Sequence, residues 1–246
     1  MAETRYRTVA QTQAGARVRE VDEGLRSYML RVYNYMALGV AVTALVSMFV
    51  AANPALMAAV ALGPMKWVLF FALLGLGFFA PRLIFSGNSA MAQAAYWGYA
   101  ALWGLFISPM IALYLGTAPD LVIRALGITA VTFGATSLVG YTTRRDLSAF
   151  GTFFMIASIG LIIAMLVNVV FFQSTMMSLV TSAIVVLLFA GVTAFETQQI
   201  KAMYVEGDAI GIAQGKAIFG AFLLYGSFIT LFINILNILG IMRSNN

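Results

Sequence analysis

Glu196 is where chemistry is most readily sought in this chain. It lies in Phe189-Ala190-Gly191-Val192-Thr193-Ala194-Phe195-Glu196-Thr197-Gln198-Gln199, where an apolar run that begins at Leu179 ends on a carboxylate; no other apolar run in the chain ends this way. A carboxylate at the edge of hydrocarbon is costly unless it faces protein or water, so it marks a functional site by default. Polar residues at helical spacing could surround it. Lys216, Gly220, Ser227, Thr230, Asn234 and Asn237 fall within about 100° of arc at 100° per residue, on one face of a helix whose other faces are Phe, Leu and Ile. Thr129, Thr132, Thr136, Gly140 and Thr143 form a second stripe, Thr193, Glu196 and Gln199 a third, and Asn168 is a lone amide.

Hydroxyls alone read as glue between helices, at ~0.6 kcal/mol per contact. A carboxylate and amides added to them read as a polar cavity, lined by Glu196, Thr193, Ser227, Thr230 and Asn234. One carboxylate among hydroxyls offers a weak cation site, since calcium sites gather about 6–8 oxygens, often from several carboxylates.

Other chemistry is excluded by composition. The chain contains no histidine and no cysteine. Disulfides, Cys/His zinc sites, an axial haem histidine and Ser-His or Cys-His catalytic pairs are therefore impossible. A Ser-Lys dyad would need Lys66, Lys201 or Lys216, all near membrane edges. An aspartyl intramembrane site needs two apposed acids, and Asp120, Asp146, Glu206 and Asp208 lie in loops. No Gly-x-Gly-x-x-Gly or Gly-Lys-Ser/Thr motif follows a strand. We expect neither an enzyme nor a bound cofactor.

The positioning elements are helices in a bilayer. The chain has 246 residues, 62% hydrophobic and 9% charged, against about 45–50% and 25% in soluble domains. A span needs ~20 residues. Seven apolar segments qualify: 32–52, 67–85 (kinked or ended near Pro81), 94–115 (kinked at Pro109), 121–141, 148–172, 177–196 or beyond, and 216–241. The fold class is thus an all-α integral membrane protein, a seven-transmembrane-helix bundle whose one-sidedly polar last helix sits at or near the centre. Trp67, Tyr96, Trp97, Tyr114, Tyr141 and Tyr204 near segment ends suit an interfacial belt.

Residues 1–27 form a basic, polar tail expected to be flexible, helical near the membrane and not a cleaved leader; residues 28–246 form the membrane domain. With the tail inside, Arg5, Arg7, Arg17, Arg19, Arg26, Arg31, Arg82, Arg144, Arg145, Lys201 and Lys216 face the cytoplasm, and only Lys66, Arg124 and Arg243 face out. The positive-inside bias puts the N-terminus in the cytoplasm. The bases are scattered over short loops, so the partner they indicate is the lipid bilayer and not nucleic acid.

The segment Thr129–Gly151 contains Gly140-Tyr141-Thr142-Thr143-Arg144-Arg145-Asp146-Leu147-Ser148. This run resembles the Gly-Tyr-Thr-x-Arg-Asp-Leu-Ser core of the transmembrane Bax inhibitor motif family, the Bax inhibitor-1-like proteins, in its bacterial form. Gly140, Tyr141, Thr142, Arg145 and Asp146 carry that motif. Phe195–Ile200 is similar to the family's aromatic-Asp-Thr-Gln segment, and Leu224–Phe232 to its last helix. The resemblance implies a last helix surrounded by the other six, location in the bacterial inner membrane, and a calcium leak gated in some members by paired acids in the last two helices. Here the first acid is Glu196, and Ser227 and Thr230 stand where the second is expected. A two-acid latch cannot form there, although Glu196 can hydrogen-bond Ser227. Calcium is then the implied permeant ion. The alternative the resemblance implies is a non-conducting regulator that binds a membrane-anchored ATP-dependent protease or another membrane protein.

Overall fold

The computed structural model describes residues 2–61 and 64–244, with side chains from Glu23 onward. Among these residues the elements are helices: α1 (Ala2–Ala51), α2 (Pro54–Ala61), α3 (Met65–Ile84), α4 (Ser89–Thr117), α5 (Pro119–Thr142), α6 (Gly151–Val167), α7 (Thr175–Ala202) and α8 (Ile210–Ser244). A 3₁₀ turn at Ser148–Phe150 leads into α6, and a π turn at Asn168–Phe172 leads out of it. Seven helical segments are long and apolar enough to cross a membrane, in α1 and in α3 to α8. The chain is a multi-pass membrane protein.

The helices outrun the apolar segments because polar residues cap them. Asn88 accepts from the Ala90 and Met91 amides at the start of α4, and Ser174 accepts from Met177 at the start of α7. Pro119 occupies the first turn of α5, where its missing N–H costs nothing. Asn53 and Pro54 start α2 in the same way, with the Asn53 carboxamide accepting from Ala55 and Leu56. This short helix was not expected. The tail is helical from Ala2, where flexible chain was expected; its Ala, Arg, Glu and Gln are good helix formers. The side chains of Arg5, Arg7, Arg17 and Arg19 lie outside the described residues. Pro109 leaves the Leu105 carbonyl without its helical donor, and the Ser108 hydroxyl supplies one at 2.8 Å.

The last helix is central. In the most apolar window of α8, 72% of the residues are buried, against 6–28% in the other six spans. It packs against α1, α3, α4, α5 and α7. The expectation that all six others surround it needs correction, because α6 packs on α7 instead. The α6 helix has the highest mean hydropathy of the spans, 2.6, and no buried residue within Gly151–Val167, so nothing polar draws it inward. Tyr96 is also corrected. It is fully buried and not in an interfacial belt, donating to the Tyr35 carbonyl at 2.6 Å.

Buried hydroxyls tie α1, α4 and α8 together. Thr43 donates to the Ala100 carbonyl at 2.8 Å, so the 2.6 Å contact between Thr43 and Tyr225 takes its proton from the tyrosine. A Cβ at Gly104 would stand 2.7 Å from that of Val46 and 2.8 Å from the Thr43 carbonyl, so α1 and α4 meet backbone to side chain there.

Candidate functional site

Four consecutive residues of α7 reach four different elements, because successive side chains point about 100° apart around a helix. Phe195 faces α6, where its ring packs 5.7 Å from that of Phe154 and covers Gly151. Glu196 faces α8 and accepts a hydrogen bond from Ser227 Oγ at 2.6 Å through Oε2. Thr197 faces α5, 3.0 Å from Ser137 Oγ. Gln198 holds the loop between α5 and α6, donating to the Arg145 carbonyl and accepting from the Leu147 amide, both at 2.8 Å. Thr197 spends its proton on the Thr193 carbonyl, so Ser137 donates to it and Tyr33 in turn donates to Ser137 at 2.6 Å. That chain of hydroxyls joins α1, α5 and α7.

Glu196 and Ser227 line a cavity of about 220 Å³ with Tyr99, Trp103, Phe189, Phe222, Leu223, Gly226 and Thr230. Its walls are α4 and α7, which do not pack on each other, and its floor is α8. The same opening is visible along α8. Between Ala217 and Asn237 only Phe219, Leu223, Gly226, Thr230, Ile233 and Asn237 keep some exposure. Their alternating spacing of four and three residues is one continuous helix face. The central helix is thus enclosed except along one seam, and Glu196 lies at that seam.

Hydroxyl protons there are directed away from the space. Ser227 donates to the carboxylate, and Thr230 donates to the Gly226 carbonyl at 2.8 Å. Oε1 of Glu196 keeps no protein partner among the described residues. The polar atoms of these three residues therefore face the cavity as acceptors, which suits a cation or a hydrogen-bond donor. Among the described residues no three His, Cys, Asp or Glu side chains come together, so a cation would be held by one carboxylate. The indole N–H of Trp103 is buried out of contact with the open space, next to Tyr99.

Of the residues expected to line a cavity, Glu196, Ser227 and Thr230 do so. Thr193 does not: it is fully buried and donates to the Phe189 carbonyl of its own helix. Asn234 is buried and turns back to the Thr230 carbonyl. Asn237 clasps α7, donating to Ser178 and Ser182 at 2.9 Å each. In the α5 stripe, Thr129 and Thr136 also donate to carbonyls of their own helix. Asn168 fastens the turn from α6 to α7, pairing with both backbone groups of Ser174, beside Gln173 with its left-handed φ of 46°.

The motif from Gly140 to Asp146 builds a joint, not a cavity. A Cβ on Gly140 would run into the Ala194 carbonyl, so only glycine lets α5 lie this close to α7. The Tyr141 carbonyl accepts from Lys201 Nζ at 2.9 Å, and that ammonium sits 4.8 Å from the tyrosine ring centroid. Thr142 donates to Leu138 on its own helix. Arg145 contributes its carbonyl to Gln198, and its side chain lines an exposed recess with Arg144, Asp146, Ser148 and Gln199. Asp146 accepts from the Ser148 amide at 2.8 Å, which holds its carboxyl below the usual carboxylate range.

Sequence reasoning missed Gln198, Tyr99, Trp103 and Gly226. For Gln198 the available signal was its position two residues after the acid, on a different face. For the other three there was none, because the seam depends on which helices do not pack together.

Comparison with known proteins agrees with this architecture. The family model described as inhibitor of apoptosis-promoting Bax1 matches residues 25–244. An uncharacterized protein of Rickettsia prowazekii is 40% identical, over 90% of this chain and 92% of its own. One from Deinococcus radiodurans is 41% identical, over 87% and 90%. The inner membrane protein YbhL of Escherichia coli is 34% identical, over 89% and 94%.

Proposed function

The chain belongs to the family of inhibitors of apoptosis-promoting Bax1, and from that premise we propose that it is a cation leak of a bacterial inner membrane with Glu196 as its cation site. One observation carries the reading. An intramembrane carboxylate, hydrogen-bonded by Ser227 at 2.6 Å, lines an acceptor-rich cavity against the central helix. Intramembrane acids mark ion pathways. Calcium is the permeant ion the family resemblance implies, held weakly by a single carboxylate. Position 227 is serine, so two acids do not share a proton between these positions.

The polarity follows from charge. The end of the bundle where α1 enters carries Arg26, Arg31, Arg82, Arg144, Arg145, Lys201 and Lys216, and the other end Lys66, Arg124 and Arg243. We place the first end in the cytoplasm and Glu196 near it, six residues or about 9 Å along the helix from Ala202.

Calcium flux into liposomes containing the purified protein tests this. Wild type should leak above empty liposomes and Glu196→Gln should leak less. Flux no greater than that of empty liposomes, at neutral and at mildly acidic pH, would sink the reading. A second reading, regulation of a membrane-anchored protease, is favoured by the continuation of α1 as one helix from Ala2, a ready docking arm. Deleting residues 1–27 separates the two: loss of a co-purifying partner with intact flux leaves the leak standing.

A further inference from the structure

The cavity at Glu196 has features that a bare metal ion does not use. Four of its lining residues are aromatic: Tyr99, Trp103, Phe189 and Phe222. Tyr99 packs on Phe222 at 4.8 Å between ring centroids and meets Trp103 edge to face at 6.3 Å. Aromatic faces around one carboxylate are the chemistry that holds organic ammonium groups, through cation–π attraction and charge-assisted hydrogen bonds.

Size and access fix the rest of the molecule. The space is about 220 Å³ and open on one side, which suits a small head group with a long chain left outside. The chain has a route, because the seam along α8 continues past the cavity at Ile233. The cavity lies between α4 and α7, which leave that seam unsealed, so entry is sideways from the bilayer. At the middle of the seam, a Cβ placed on Gly226 would meet nothing within 4 Å.

We propose that this lateral cavity binds the ammonium head of a single-chain amphiphilic amine taken from the bilayer, with Glu196 accepting from the nitrogen and the alkyl chain lying in the seam. The proposal shares Glu196 with the leak but does not rest on conduction.

Binding of radiolabelled N-dodecylethanolamine to the full chain in lipid nanodiscs tests it. Wild type should bind saturably, and dodecanol, with the same chain and no charge, should fail to compete. Glu196→Gln should weaken binding about tenfold or more, as expected for one charge-assisted hydrogen bond. Gly226→Leu should do the same by filling the cavity mouth, and it keeps the test decisive if Glu196→Gln fails to fold. Competition by dodecanol equal to that by the unlabelled amine would overturn the proposal, as would wild-type affinity in both variants. Saturable binding by a protein that passes no calcium would support it while removing the leak.

Discussion

Two glycines on the same helix, six residues apart, separate the packing argument from helix propensity. At Gly140 an added Cβ would meet the Ala194 carbonyl oxygen and stand 2.8 Å from its carbonyl carbon and Cα. Carbon atoms rest at about 3.5–4.0 Å, so the shortfall is about 0.7–1.2 Å, and the obstacle is backbone that cannot swing aside. At Gly134 a Cβ meets nothing within 4 Å. Both substitutions to alanine gain the same ~0.5–1 kcal/mol of helix propensity. The difference between Gly140→Ala and Gly134→Ala therefore isolates the overpacking cost, about 1–3 kcal/mol.

A second consequence is local. If α5 and α7 separate by that shortfall, the 3.0 Å contact between Ser137 and Thr197 passes out of hydrogen-bond range. Thermal unfolding in detergent should place Gly140→Ala below Gly134→Ala by about 2–4 °C per kcal/mol at this chain length. Hydrogen exchange should show the loss concentrated where α5 meets the end of α7. Indistinguishable melting of the two variants would refute the claim that this glycine is demanded by helix approach.

Gln198→Ala removes both hydrogen bonds that fasten the loop between α5 and α6, and should speed exchange of the Leu147 amide with little change in melting. Asp208 and Lys216 form a 2.6 Å ion pair, with side chains 16% and 19% exposed. Asp208→Asn or Lys216→Met alone should destabilise by about 1–3 kcal/mol, below the 3–5 of a fully buried pair, with the double variant losing less than the two single losses combined. The folded-state lowering of the Asp146 carboxyl means the folded loop favours the ionised form. Its contribution is present above the ordinary carboxylate range near 4 and is lost as pH falls through the lowered folded value. Exchange of the Ser148 amide should accelerate in acid through that window, and Asp146→Asn should flatten the pH dependence.

Much of the fold was legible because hydrocarbon imposes one rule. Backbone groups there must pair within the segment, so long apolar runs could only be helices. The one-sided polarity of α8 pointed to the centre, where 72% burial is found. Helix ends were set too short because hydropathy fades before hydrogen bonding does: α8 begins six residues before Lys216. The Asn53-Pro54 start of α2 was a readable cap and first-turn proline, overlooked because the segment is too short to span.

The site was legible in its pair and illegible in its shape. Glu196 and Ser227 were matched through the family resemblance, which sets Glu196 at the first acid's position and Ser227 with Thr230 at the second, and Glu196 and Ser227 meet at 2.6 Å. The other polar positions misled for a definite reason. A threonine or asparagine in a helix can satisfy itself on the preceding turn, as Thr193, Thr129 and Asn234 do, so a polar stripe need not line anything. What makes Glu196 accessible is a seam where α4 and α7 do not pack together, and no residue announces a gap between helices. The carboxylate therefore reads differently in the fold than along the chain. It is an acid beside a lateral opening with aromatic walls, and the two proposed occupants would reach it by different routes: an ion along the bundle from the end where α1 enters, an amphiphile sideways from the bilayer. Filling the seam at Gly226 while leaving Glu196 and Ser227 in place is the perturbation that tells those routes apart.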